Sequence, residues 1–285
     1  MTRPSWGDFA THDESAYPEF WDGVVGAWCP SLGPTGLRLH DHSRRNNWGT
    51  LTNMDAATDW VVSGGQYALD FDGTNDYVSV AHSQTFASGT QLTASAWVKR
   101  NAAGVYAELV NKFTGTGIGN SDQDGWLFRW HADNKLVFTV ANSGSYGQYS
   151  ATNANTSTAW NHVAAVHEFG TTAKTAIYLN GVAVAASWTT GGTQVPDSDA
   201  TIYPIIIGAQ RYAAASYNLL AGQIDDVAVF NRILTPGEVL RLYLLGRGGI
   251  YERRRRTLRR VAVEQAAAFK AYWARRQNQI IGGGV

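Results

Sequence analysis

From residue 23 onward, the chain carries short runs in which apolar residues stand together or alternate with polar ones. Examples are ALDF (68–71), DYVSV (76–80), KLVFTV (135–140) and IDDVAVF (224–230), with turn-forming residues between the runs. Alternation with a period of two is typical of strands, and many short strands separated by turns favour a sandwich. The pattern therefore predicts an all-β sandwich.

One hairpin is indicated more sharply than the others. Asn180-Gly181 separates TAIYL (175–179) from VAVAA (182–186). A two-residue hairpin turn needs a positive φ at both central residues, which asparagine and glycine adopt at little cost. We therefore predict two antiparallel strands joined at this dipeptide.

The pattern changes at LTPGEVLRLYLLG (234–246), which predicts a short helix. Thr235 is the expected N-cap, Pro236 takes the first helical position, and Glu238 follows at the spacing of a capping box. Gly246 is expected to end the helix. Together with Gly248 and Gly249 it predicts a flexible joint.

Charge divides the chain further. Formal net charge is zero, but residues 251–285 carry +7 and the preceding 250 residues carry −7. We therefore expect an N-terminal arm (1–22), a sandwich (23–246) and a basic, helical docking tail (247–285). The tail residues expected to make contacts are Arg253, Arg254, Arg255, Arg256, Arg259, Arg260, Phe269, Tyr272, Trp273, Ile280 and Ile281.

Seven motifs occur in an order that resembles a known family. They are GVVGAW (23–28), LHDHSRRNNWGTL (39–51), ALDFDGTNDYVSV (68–80), LTASAWVK (92–99), TAWNHVAAV (158–166), AIYLNGVAV (176–184) and GQIDDVAVFNRILTPGEVLRLY (222–243). Over about residues 22–246 the chain resembles the laminin-G-like domains of the concanavalin A-like lectin/glucanase superfamily. The resemblance implies a two-sheet antiparallel β-sandwich of the jelly-roll type, with the sheets face to face and one of them often curved into a binding groove.

The resemblance also implies one structural Ca²⁺, because members of the family often hold one near such positions. The expected metal residues are Asp72, Gly73, Asp76, Asp225 and Asp226. Carboxylates and backbone carbonyls are the oxygen ligands that calcium takes. The alternative is that these acids cap turns by accepting hydrogen bonds from backbone N–H groups.

Eleven Trp and thirteen Tyr residues permit sugar binding, because aromatic faces stack on sugar rings. The expected ligand-binding residues are Tyr146, Tyr149, Trp188, Tyr212 and Tyr217. The alternative is that most of them pack in the core or across strands.

Enzymatic function is not expected. The glycoside hydrolases of the superfamily use paired carboxylates at alternate positions of one strand, and no such run of acids occurs here. Glu108 and Glu168 are the only glutamates in the strand-rich region. No phosphate-binding loop or nucleophile elbow is present.

The tail leaves three interpretations open. Its arginines could contact nucleic acid phosphates or a membrane surface, but its aromatic stripe and apolar end favour docking on an acidic protein surface or on a second copy. We therefore expect a homo-oligomer or a larger assembly, with nucleic acid disfavoured. Since no run of about 18 apolar residues occurs, no membrane span is expected.

Function follows as a hypothesis. The N-terminus lacks an apolar signal-peptide region, so we expect synthesis in a cytoplasm and a place in a virion or release by lysis. Cys29 is the single cysteine, so no intrachain disulfide is expected. The leading hypothesis is a non-catalytic, adhesive component of an assembled particle, such as a phage capsid decoration or head fibre. The alternative is a free carbohydrate-binding lectin module.

Overall fold

The described part of the protein is built mainly from β-strands. The computed structural model describes residues 17–86, 89–115, 123–196, 203–212 and 215–251. Its strands and helices, in chain order, are α1 (Pro18–Trp21), β1 (Val24–Trp28), a 3-10 turn (Pro30–Leu32), β2 (Arg38–Leu39), β3 (Gly49–Thr52), β4 (Trp60–Ser63), β5 (Gln66–Asp72), β6 (Tyr77–Val80), a 3-10 turn (Gln84–Phe86), β7 (Gln91–Arg100), β8 (Ala107–Thr114), β9 (Asp124–Trp130), β10 (Leu136–Asn142), β11 (Ser145–Ala151), β12 (Asn161–Glu168), β13 (Thr175–Leu179), β14 (Val182–Ala183), β15 (Ala186–Thr190), β16 (Ile205–Ile207), β17 (Gln210–Tyr212), β18 (Ala215–Tyr217), β19 (Ala221–Phe230) and α2 (Pro236–Leu245).

The strands form two antiparallel sheets that enclose the main core. Sheet 1 has the order β14-β13-β12-β7-β19-β5-β4, and β1 pairs with the later part of β19. Sheet 2 has the order β15-β11-β10-β9-β8-β16-β6-β3-β2, and β17 and β18 form a separate hairpin. Alternate residues such as Leu136, Phe138 and Val140 of β10 point into the core between the sheets. The predicted sandwich is confirmed.

The two predictions made from local turn and cap residues are also confirmed. Asn180 (φ +52°) and Gly181 (φ +79°) join β13 to β14. Thr235 caps α2 by accepting a hydrogen bond from the backbone N–H of Glu238, whose carboxylate accepts one from the Thr235 N–H at 2.7 Å. The helix ends at Gly246.

The two helices cover the outer face of sheet 1. Phe20 of α1 and Val239 and Leu242 of α2 join a second apolar cluster with sheet residues such as Ala164 and Ala228. Each of these side chains is buried. Because both faces of sheet 1 are packed, its strands β12 and β19 contain the continuous apolar runs VAAV (163–166) and VAVF (227–230).

The prediction of a flexible joint after α2 is wrong, because Arg247, between Gly246 and Gly248, is fixed to sheet 1. Its guanidinium donates to the Asp225 carboxylate at 2.8 Å and to the Ser63 and Tyr67 carbonyl oxygens at 2.6 and 2.7 Å. Its central carbon lies 3.9 Å from the centre of a Trp160 ring. The glycines let the chain turn back, and the side chain between them holds it in place.

The two ends of the described chain meet on this side of sheet 1. The Tyr251 ring centre lies 5.5 Å from that of Trp21, the last residue of α1, and 5.3 Å from that of His42. Residues 1–16 and 252–285, including every tail residue predicted to make contacts, lie outside the described residues. The arm and the tail therefore join the sandwich at neighbouring points. Within the described ranges, no helix is long and apolar enough to cross a membrane.

Candidate functional site

A groove of about 440 Å³ lies on the outer face of sheet 2. Val78 of β6 points into the core, so Tyr77 and Ser79 point outward, and Ile206 of β16 pairs with Ser79 in the same row. The residues that line the groove are Tyr77, Ser79, Phe113, Thr114, Tyr203, Pro204, Ile206 and Arg211. It is an open surface feature built on rigid strands.

The groove combines aromatic rings with donor groups. The Arg211 guanidinium lies 4.4 Å from the centre of the Tyr77 ring, which places a positive charge over an aromatic face in the groove lining. Tyr203 is 38% exposed, whereas Phe113 is buried and forms part of the floor. Flat rings, hydroxyl groups and one fixed cation together suit a polar ligand that also has apolar faces.

Two of the predicted ligand residues, Tyr149 and Trp188, lie elsewhere. They pair across β11 and β15 with ring centres 5.2 Å apart, and both pack against the main core. Trp188 also meets the buried His167 ring at 5.6 Å. This arrangement is what the packing alternative anticipates, and ligand binding by this pair stays a prediction.

Two further predicted ligand residues, Tyr146 and Tyr217, also lie outside the groove lining. Tyr146 is on the outer face of sheet 2, partly buried against Phe113. Tyr217 is 42% exposed on β18, and Tyr212 lies on β17, next to Arg211. Their role likewise stays a prediction, although the β17–β18 hairpin that carries two of them also supplies Arg211 to the groove.

Sequence reasoning missed Tyr77, Tyr203 and Arg211. One signal was available for Tyr77, because it alternates with Val78 and Val80 after the Asp-Gly turn and so had to point away from the core. No local sequence signal predicts that Arg211 lies over the Tyr77 ring, because the two residues are 134 positions apart.

Beside the groove, sheet 2 buries a carboxyl group. Glu108 is 0% exposed, neither of its carboxyl oxygens has a hydrogen-bond partner, and it lies directly opposite Arg129 in the strand register. Burial raises the pKa of Glu108 to about 8, although the Arg129 charge opposes this rise. The register continues this row through Val137 and Ser150, which supply no second carboxylate. Glu108 is therefore a protonated, enclosed acid at neutral pH.

The first predicted calcium cluster is a tight acidic turn. The Asp72 carboxylate accepts from the N–H groups of Thr74 and Asn75 at 2.7 and 3.2 Å, and Asp76 accepts from the Asp72 N–H at 3.0 Å. Burial alone would raise the pKa of Asp72, but these N–H groups lower it overall. Gly73 has φ +75°, and a Cβ there would lie 2.7 Å from the Ala221 Cβ, so glycine is required.

The second cluster, Asp225 and Asp226, lies at a bulge in β19. β5 pairs with β19 before this point and β1 pairs with it afterwards, so the two acids fill the gap between these strands. Asp225 pairs with Arg247 and accepts from the Ser31 N–H at 3.0 Å. Burial and the Asp225 charge raise the pKa of Asp226 to about 8.

The structure does not bring the two clusters together. Asp72 pairs with Ala221, four residues before Asp225, which places them about 13 Å apart at 3.3 Å per residue. Cys29, Asp225 and Asp226 each offer a ligand atom within 4.8 Å of the others. This set does not fit Ca²⁺, because calcium prefers oxygen ligands and Arg247 already neutralises Asp225. Calcium at the Asp72 turn stays a prediction.

Comparisons with known proteins match this architecture. A profile described as the concanavalin A-like lectin/glucanases superfamily, Laminin_G_3, matches residues 72–240, more than half of the chain. The chain belongs to this superfamily. The resemblance found in the motifs is thereby confirmed, and the matched range includes β6, β8, β16 and β17, which form the groove. A comparison with curated proteins gives no match.

Solved structures share the fold at low identity. A Trypanosoma rangeli sialidase is 16% identical with a TM-score of 0.53, and the match covers 78% of this chain and 32% of the sialidase. The binding domain of Paraclostridial mosquitocidal protein 1 is 17% identical (TM-score 0.53; 78% and 52% covered). Botulinum neurotoxin type C, whose cell entry depends on interaction with two ganglioside molecules, is 14% identical with a TM-score of 0.55. That match covers 79% of this chain and 52% of the neurotoxin chain. This chain thus spans a third to a half of their length, and the likeness concerns the fold.

Proposed function

We propose that this protein is a non-catalytic glycan-binding module and that it binds its ligand in the groove on sheet 2. The observation that carries this proposal is the grouping of Tyr77, Tyr203 and Arg211 around one open groove of about 440 Å³. Tyrosine rings offer apolar faces to the C–H side of a sugar, while their hydroxyl groups remain able to bond its polar edge. The groove thereby matches a ligand that is apolar on one side and hydroxylated on the other.

Arg211 favours an acidic glycan over a neutral one. Its guanidinium lies over Tyr77 and lines the groove, so its positive charge would attract the carboxylate of a sugar acid. A neutral sugar could stack on the same rings but would lack this attraction. That botulinum neurotoxin type C, with the same fold, depends on gangliosides adds support of a general kind.

The buried carboxyl beside the groove supports a non-catalytic role. Most enzymes that hydrolyse a glycosidic bond use two carboxyl groups, about 5–9.5 Å apart, that flank the bond. Glu108 is enclosed, and the residues in its row and in the next one, Asn111, Leu127 and Thr139, bring no second acid. Because Glu108 is inaccessible to solvent and has no second carboxyl group in these rows, it is better explained as part of the packing beneath the outer face of sheet 2.

The test compares two tyrosines of matched exposure. Tyr203 in the groove is 38% exposed, and Tyr106, outside the groove lining, is 36% exposed. We expect Tyr203→Ala to weaken binding to a glycan array at least tenfold and Tyr106→Ala to leave it unchanged. Arg211→Gln should reduce binding to sialylated glycans more than to their desialylated forms. Glycan binding that survives both groove substitutions would exclude this groove, and turnover of any glycan would contradict a non-catalytic role.

A second candidate function, docking onto a larger assembly, is supported by a separate observation. Trp21 and Tyr251 meet on the outer side of sheet 1, so the arm and tail leave from the face opposite to the groove. A module anchored there would present the groove outward, as expected of a component of a particle such as a phage virion. The support is the placement of the chain ends together with the +7 charge of residues 251–285.

Truncation after Tyr251 tests the docking role, because this cut keeps every described contact of Arg247 and Tyr251. We expect the full chain to form a defined oligomer or to bind an acidic protein partner, and the truncated chain to be a folded monomer, measured by light scattering after gel filtration. If both forms are monomers that bind the same glycans and no partner, the free lectin module is the better account.

A further inference from the structure

A basic and aromatic cluster lies at the edge of sheet 2 and consists of Arg38, His40 and Trp48. The central carbon of the Arg38 guanidinium lies 4.3 Å from the centre of a Trp48 ring, and the His40 ring centre lies 4.5 Å from that of Trp48. Because Leu39 points into the core, its neighbours Arg38 and His40 point to the outer face of the sheet. The cluster and the groove therefore lie on the same side of the molecule.

The strand register connects this cluster to the groove. Arg38 of β2 lies directly opposite Thr50 of β3, and Thr50 lies opposite Ser79 of β6, which lines the groove. Since neighbouring strands are about 4.8 Å apart, the Arg38 and Ser79 backbones are about 10 Å apart. Thr50 is exposed and Ser79 is half-buried, and neither hydroxyl group forms a hydrogen bond with a described residue. Two available hydroxyl groups thus lead from the groove to Arg38.

The charge of Arg38 is not neutralised by the described part of the protein. Its side chain is exposed, and its guanidinium forms neither an ion pair nor a hydrogen bond with a described residue. Arg241 and Arg247, by contrast, each pair with a carboxylate. Burial and the Arg38 charge lower the pKa of His40, so this neighbour is neutral at pH 7. Arg38 is therefore a cation held against an aromatic ring and suited to an anionic ligand group.

The groove has a similar arrangement at its far side. The Arg211 guanidinium lies over Tyr77, which stands two residues before Ser79 on β6. At about 3.3 Å per residue along the strand, the Tyr77 and Arg38 Cα atoms are about 12 Å apart. Two arginines, each over an aromatic ring, thus flank a strip that carries the hydroxyl groups of Thr50 and Ser79.

We propose that the ligand of the groove is an acidic oligosaccharide that extends along this strip, with one acid group at Arg211 and a second acid group at Arg38. The inference rests on the proposed glycan-binding function and adds the length and the charge of the ligand. A nucleic acid would present a phosphate at every repeat, whereas the side chains between the two arginines are uncharged and hydroxylated. A second contact made by the same ligand chain raises the affinity, because that contact forms within a complex already held in the groove.

Isothermal titration calorimetry of the full chain with α2,8-linked sialic acid oligomers of one to four residues tests this extension. We expect the affinity to rise at least about tenfold from the monomer to the tetramer, because the longer oligomer reaches Arg38. Arg38→Gln should remove most of this rise and leave the affinity for the monomer unchanged, whereas Arg38→Lys, which keeps the charge, should retain it. Arg241→Gln is the matched control, because it removes an exposed arginine charge on α2, behind sheet 1, and it should bind every oligomer as wild type.

The outcomes distinguish this inference from the groove itself. If the monomer does not bind, the groove proposal fails and this inference fails with it. If the monomer binds but the tetramer binds no better, or if Arg38→Gln keeps the gain with length, the groove stands and the extension is overturned. An oligothymidylate of matched charge that binds as tightly as the tetramer, and that Arg38→Gln weakens, would assign the strip to nucleic acid and overturn the glycan assignment. Because Arg38 is exposed, its variants should keep the wild-type thermal unfolding midpoint, so a lost gain reports on the contact and not on folding.

Discussion

The outer faces of the two sheets differ in what covers them. On sheet 1, α1 and α2 bury an apolar cluster that includes Phe20, Val239 and Leu242. On sheet 2, the outward rows hold buried polar side chains, among them Glu108, Asn111 and Arg129, and beside them lies the groove. One face is closed by the protein's own apolar side chains, and the other keeps polar groups and an accessible surface.

This difference separates stability from recognition. Apolar contacts are non-directional and stabilise in proportion to area, so the helices fix the chain ends to sheet 1 without any specific ligand. Polar groups cost free energy to bury unless they are hydrogen-bonded, and a few of them placed in a pocket orient a ligand and make its binding specific. Variants on the two faces should therefore change different measurements.

The largest effect is expected at Arg247. Arg247→Ala leaves the buried Asp225 carboxylate without its ion pair, which should lower the free energy of unfolding by about 3–5 kcal/mol. Arg241→Ala removes a pair with Glu19 in which the arginine side chain is 52% exposed, so it should cost about 1 kcal/mol or less. Urea unfolding measures both. Equal small losses would show that the joint is not fixed as described.

On sheet 2 the largest effect depends on pH. Folded Glu108 has a pKa of about 8 against about 4.3 when unfolded, so between these values the folded state holds the extra proton. Titration of this group therefore lowers the free energy of unfolding as the pH rises from 5 to 8, by up to about 1.4 kcal/mol per pH unit. Glu108→Gln removes this loss, so its stability advantage over wild type should grow with pH. An advantage that is constant across this range would contradict the burial of the acid.

A smaller loss is expected at the start of α2. Thr235→Ala removes the cap from the Glu238 N–H and should lower the free energy of unfolding by about 1 kcal/mol. Thr158→Ala, at an exposed position in a loop, is the control and should change it by less than about 0.5 kcal/mol. If both variants unfold alike, the capping box contributes nothing to the cover of sheet 1.

The smallest stability effect is expected in the groove. Tyr203→Ala should change the free energy of unfolding by about 0.5 kcal/mol or less, because the residue is already 38% exposed. Glycan binding should nevertheless be lost. A drop in stability as large as that of Arg247→Ala would place Tyr203 with the packing residues, and the two faces would no longer differ in the way proposed.

Signals that depend on near neighbours could be read from the sequence. The Asn180-Gly181 turn and the Thr235 capping box each involve residues within three positions of one another, and both occur as predicted. The sandwich and its family followed from many such short signals in order. Alternation along a strand shows which residues share a face, but it does not show what covers that face.

The sequence by itself determined the strands, their turns, the cap of α2 and the family. Only the tertiary structure decided that Asp225 lies inside, paired with Arg247, because a bulge and two separately paired strands close around it. Only the fold brings the Arg211 guanidinium to the Tyr77 ring. The packing of the two sheets brings residues that are far apart in the chain into contact, and no local sequence pattern predicts which of them meet.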